Sequence, residues 1–156
     1  ERYRSAGGLD EAFFAHMEEI DLCWRLKNKG GVLKAVPTSV VYHFGGGSLP
    51  MNHPRKLFLN YRNNLLMLHK NLDEKQRGKV FFIRGLLDMM AAGLFLLKGE
   101  FSNTRSVIRA YKAYHRMKKE YKGPESPVNV TGIYQRSVVL DYFLRGKKKF
   151  SDLNFK

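Results

Sequence analysis

The sequence predicts an α/β unit over residues 1–53 followed by a mainly helical, strongly basic region, and three observations carry that division. Apolar residues recur at helical spacing ahead of Gly30-Gly31. Two short β-branched and aromatic runs, VLKAV and SVVYHF, then flank Pro37-Thr38 as strand signals do. The charge is uneven: residues 1–53 carry 6 Lys/Arg against 6 Asp/Glu and residues 54–156 carry 22 against 8, so the whole net charge of +14 lies in the second part. With 156 residues and 44% hydrophobic side chains, the chain can bury a core and does not have a disordered composition.

In chain order, the first predicted helix has Met17, Ile20, Cys23, Trp24 and Leu26 on its apolar side and Lys27 and Lys29 in its last turn. Three acids, Glu18, Glu19 and Asp21, crowd its start, where carboxylates meet unpaired N–H groups and the positive end of the helix dipole. Helix-start electrostatics explains them, and so does a catalytic base. Asp21 and Arg25 are four apart, which suits an ion pair. Trp24 and the single cysteine, Cys23, read as packed core residues, and one cysteine excludes an internal disulfide. The two short strands follow, then the loop Gly45-Gly46-Gly47-Ser48.

From His53 the pattern is helical. Leu57, Phe58, Tyr61, Leu65, Leu68 and Leu72 line one face, with Pro54 near the start. Residues 80–97 are apolar except for Arg84 and Asp88, placed to pair at i and i+4; two charges near the middle favour an interfacial or buried helix over a spanning one. Residues 104–122 make a basic amphipathic helix, the pattern of a membrane-surface element, although 22 basic residues also suit plain solvated faces. Zinc-ligand spacing, an RNP pattern and a helix-turn-helix signature are all missing, so no nucleic-acid partner is expected, although a non-catalytic basic module binding anionic lipid or nucleic acid is the competing reading of this charge. Residues 123–156 read as a linker and basic tail.

GGLDEAFFAHMEEIDLCWRLKNKG, VPTSVVYHFGGGS and RNNLLML, in that order, resemble the C-terminal part of a bacterial family 2 glycosyltransferase of the GT-A fold, of the rhamnosyl- and galactofuranosyltransferase-like kind. The resemblance covers residues 2–72. It implies that residues 1–53 are the acceptor side of a GT-A catalytic domain and that the nucleotide-binding half with its Asp-x-Asp motif precedes Glu1, while the apolar stripes and basic residues of 54–122 make that part a helical basic region suited to a membrane surface. The chain then reads as an excised piece, inactive alone. The resemblance makes Glu19 the general base, with Glu18 beside it and Asp21 following; relatives often carry Asp where Glu19 stands.

The resemblance further implies His43 as a ligand to Mn or Mg, and substrate contacts for Gly7, Gly8, Gly45, Gly46, Gly47 and Ser48. It implies a nucleotide-sugar donor and a glycan or lipid-linked acceptor, and the basic, amphipathic second part adds an anionic membrane partner and with it a cytoplasmic, peripheral place at the inner membrane. The chain lacks the Gln-x-x-Arg-Trp motif of processive polysaccharide synthases.

Overall fold

A computed structural model describes residues 1–42, 53–124, 134 and 136–154. Six α-helices follow one another: α1 (Arg2–Ser5), α2 (Glu18–Asn28), α3 (Pro54–Asn71), α4 (Glu74–Leu97), α5 (Phe101–Met117) and α6 (Val138–Leu144). Short 3-10 turns at Glu11–Phe13, Lys118–Glu120 and Phe150–Asp152 complete the regular structure among the described residues.

The expected α/β unit is corrected here, because the described residues contain helices and no strand. Pro37-Thr38 does turn the chain, with the Ser39 N–H donating to the Val36 carbonyl at 3.0 Å. The segments on either side nevertheless do not pair. Val32, Val40, Val41 and Tyr42 are exposed, so neither segment has an apolar face to lie on. A lone two-stranded hairpin is marginal in water without such a face, whatever the β-propensity of its residues.

The helices start and stop where local chemistry directs. Pro54 opens α3 where a missing N–H costs nothing, and His53 Nδ1 accepts from the Arg55 N–H at 3.1 Å. Leu72 and Asp73 are extended, which ends α3, and the Asp73 carboxylate caps α4 by accepting from the Lys75 N–H. Gly99, at φ +74°, turns the chain between α4 and α5, a conformation that favours glycine.

α3 is the central helix, packed by α2, α4 and α5. Its Leu65, Leu66 and Met67 join Phe13 and Tyr114 in the core, against which Met17, Trp24, Leu68, Phe81, Tyr111, Met117 and Tyr121 pack. Each fully buried Leu or Phe stabilises by about 1.5–3 kcal/mol relative to exposure. Trp24 is therefore at the core margin, while Cys23, expected inside, is exposed. α4 is not a buried helix either: among its apolar residues, Phe82, Met89, Met90 and Leu97 stand well exposed. α6, inside the expected tail, went unforeseen because its seven residues span only two turns.

Candidate functional site

The acids at the start of α2 are delivered by an unusual piece of backbone. Phe14, His16 and Met17 have φ of 63°, 71° and 72°, the only positive values at non-glycine residues among the described residues. Side chains with a Cβ resist that region, so the surrounding structure must hold the loop in place.

Two neighbours on α3 do so. Asn63, fully buried, places its amide nitrogen 2.9 Å from the Phe13 carbonyl, 2.7 Å from that of Ala15 and 2.8 Å from that of His16. Arg62 donates to the Ala12 and Phe13 carbonyls at 2.8 and 3.1 Å, and its Nε donates to Asn63 Oδ1 at 2.8 Å, which fixes the amide's orientation. The carbonyls of Ala12, Phe13, Ala15 and His16 are thus satisfied by α3. Burial pushes the Arg62 pKa down from its ordinary value.

Asp21 lies one turn further along α2 and is completely buried. Arg25 Nε donates to its carboxylate at 2.8 Å, Lys70 at 3.0 Å and Asn71 Nδ2 at 2.8 Å. Lys70 also reaches Asp10 at 2.7 Å, and Asp10 in turn caps the Glu11–Phe13 turn by accepting from the Ala12 N–H at 3.0 Å. Burial alone would raise the Asp10 pKa, but the Lys70 ammonium and the Ala12 N–H outweigh it and hold the carboxyl below its ordinary value.

Arg25 spends its remaining donors on the Ala6 carbonyl and, at 2.7 Å, on that of Gly8. Gly7 and Gly8 sit at φ +81° and +63°, and a Cβ on Gly8 would come within 3.3 Å of the Tyr3 ring. In this structure the two glycines make a tight turn bound to α2.

The expected site residues therefore separate. Asp21 is consumed by the network that joins α2 to α3. Glu18 is half-buried, and its Oε2 is shielded from solvent without a hydrogen-bond partner, as are His16 Nε2 and Asn64 Oδ1. Glu19 stands exposed in the first turn of α2. His43, Gly45, Gly46, Gly47 and Ser48 lie outside the described residues. Among the described residues, no group of three His, Cys, Asp or Glu side chains could hold a metal ion.

Sequence reasoning missed Arg62, Asn63, Lys70 and Asn71 as organisers of this site. A signal was present: Asn63 occupies the position between Leu59 and Leu66 at i+4 and i+7 spacing, a polar residue inside an apolar stripe. The chain matches no family model, no curated protein and no solved structure.

Proposed function

We propose that the chain belongs to an inverting glycosyltransferase of the family 2 kind, with Glu19 as the general base. The observation that carries this reading is the placement of Glu19 on a helix start that is held by a strained, doubly anchored loop while the side chain itself stays open to solvent. A base must reach a substrate hydroxyl and keep its position, and both conditions meet there. Asp21 cannot serve, because three donors occupy its carboxylate in the interior.

In the proposed reaction the Glu19 carboxylate takes the proton of the acceptor hydroxyl. That oxygen attacks the anomeric carbon of a nucleotide-sugar while the bond to the nucleotide diphosphate breaks, its electron pair leaving on the phosphate. The acceptor is a glycan or a lipid-linked sugar of cell-surface polysaccharide synthesis. A divalent Mn or Mg, which the resemblance implies, would need ligands beyond the described residues.

The test compares Glu19→Gln with Glu18→Gln in the intact polypeptide, reading nucleotide release in the presence of acceptor. Loss of a general base lowers turnover by about 10²–10⁴-fold, expected for Glu19→Gln with unchanged circular dichroism. Full turnover by that variant would refute the base assignment. Strong loss in Glu18→Gln alone would transfer it to Glu18.

A further inference from the structure

α4 and α5 form a hairpin whose outer side divides into an apolar and a cationic half. Phe82, Leu86, Met89, Met90, Leu94 and Leu97 fall on one face of α4 by helical period, and all are exposed. Among the described residues, α4 is the one helix long and apolar enough to cross a membrane, and almost none of it is buried. The charges within its apolar stretch turn toward the neighbouring helices α3 and α5. Arg84 Nε lies 2.8 Å from an Asp88 carboxylate oxygen, the Asp88 carboxylate accepts from the Tyr111 hydroxyl at 2.8 Å, and the Arg84 guanidinium lies 5.5 Å from the centre of the Tyr61 ring.

On α5, Arg105, Arg109, Lys112 and Arg116 follow one another at i, i+4, i+7 and i+11, a single exposed cationic stripe. Beside the apolar face lies one groove of about 540 Å³, which the stripe reaches through Lys112. Phe82, Leu86, Met89 and the paired Asp88 line it from α4; Ile108, Lys112 and His115 line it from α5. Residues 74–122 carry 12 Lys/Arg against 4 Asp/Glu.

We propose that this side of the α4–α5 hairpin docks onto an anionic lipid bilayer, with α4 lying in the plane of the headgroup and acyl boundary rather than crossing it. Charge complementarity selects the occupant: an exposed apolar face edged by a cationic stripe matches acyl chains edged by anionic headgroups. The pairing of the two helices selects the orientation. Thr104 donates to the Ala92 carbonyl at 3.2 Å, Tyr111 bonds Asp88, and Phe81 and Tyr114 have ring centroids 5.5 Å apart, so α5 runs antiparallel along the middle of α4. A spanning α4 would carry the cations of α5 into hydrocarbon, where each is costly. An in-plane α4 leaves them at headgroup level. The proposal stands independently of sugar transfer.

The experiment is sedimentation of the full chain with vesicles of phosphatidylcholine alone or mixed with phosphatidylglycerol, across a salt series. Binding is expected on the mixed vesicles, weakening as salt rises, since surface charge is screened within about 8 Å at physiological salt. Replacing Arg105, Lys112 and Arg116 together by Gln should weaken binding at low salt by about a hundredfold, at about 1 kcal/mol for each charge. Arg109 is left in place because it lies 5.6 Å over the Phe58 ring.

Met90→Gln with Leu94→Gln, a pair that leaves the core untouched, should weaken binding to the mixed vesicles at any salt. Carbonate should release the bound protein. Retention in the pellet after carbonate would overturn the in-plane orientation, and equal binding to both vesicle types at every salt would overturn the electrostatic part. Absence of binding, or self-association through α4 in equilibrium sedimentation, would overturn the docking itself.

Discussion

Against α3, residues 6–25 bury Asp21 and draw Asn63 and Asn71 into the interior, while across the molecule α4 leaves Phe82, Met89, Met90 and Leu97 in solvent. One region hides polar groups and the other displays apolar ones, both against the usual tendency. In the first region the buried carboxylate and the Asn63 amide nitrogen are met from within the chain, since Asp21 has Arg25, Lys70 and Asn71, and Asn63 has the loop carbonyls. The second region has no such internal answer, so its apolar face is available to something outside the chain. Buried charge here serves the fold, and the exposed apolar surface is left open to a partner.

The comparison breaks most sharply at Asp21. Asp21→Ala leaves Lys70 and Arg25 facing each other without their shared carboxylate, and removing one partner of a buried ion pair costs about 3–5 kcal/mol. The fall should appear in the urea midpoint with an unchanged slope. A loss under about 1 kcal/mol would mean that apolar packing rather than the network holds α2 to α3.

A smaller effect separates the two regions by pH. The Asp10 carboxyl binds its proton more weakly in the folded than in the unfolded chain, so its contribution is present above the unfolded pKa, about 3.9, and is lost as pH falls through the folded value. Asp10→Asn should therefore be less stable than the parent at pH 7, and thermal melts of the two should converge as the pH drops below about 4. His69, which burial also pushes below its ordinary pKa, works in the same direction at higher pH: acid favours the unfolded chain, and stability declines below about 6.5. The smallest effect on stability belongs to α4. Met90→Gln should change it by no more than about 0.5 kcal/mol in urea, while lowering attachment to anionic vesicles.

Much of this was legible where partners are close in sequence. Asp21 with Arg25 and Arg84 with Asp88 pair at i and i+4, as helical geometry dictates, and α3 follows its apolar period from Pro54 onward. The Pro37-Thr38 turn formed while its strands did not, because a turn is local and a strand needs a neighbour. At the site, the acidic helix start was visible, and the division of labour among its acids was not. Lys70 and Asn71 approach Asp21 from 49 and 50 residues away, and no spacing rule reaches that far.

The sequence by itself determined the helices from α2 to α5, the charge asymmetry and the crowding of acids at Glu18, Glu19 and Asp21, since each depends on period, composition or neighbours within a turn. Only the tertiary structure decided that Asp21 is walled in while Glu19 is open, and that Arg84 and Asp88 pair toward the neighbouring helices so that the exposed face of α4 from Phe82 to Leu97 is apolar. The physical reason is common to both. Burial and pairing across helices depend on which faces meet, and those contacts are set by the packing of α2, α4 and α5 around α3.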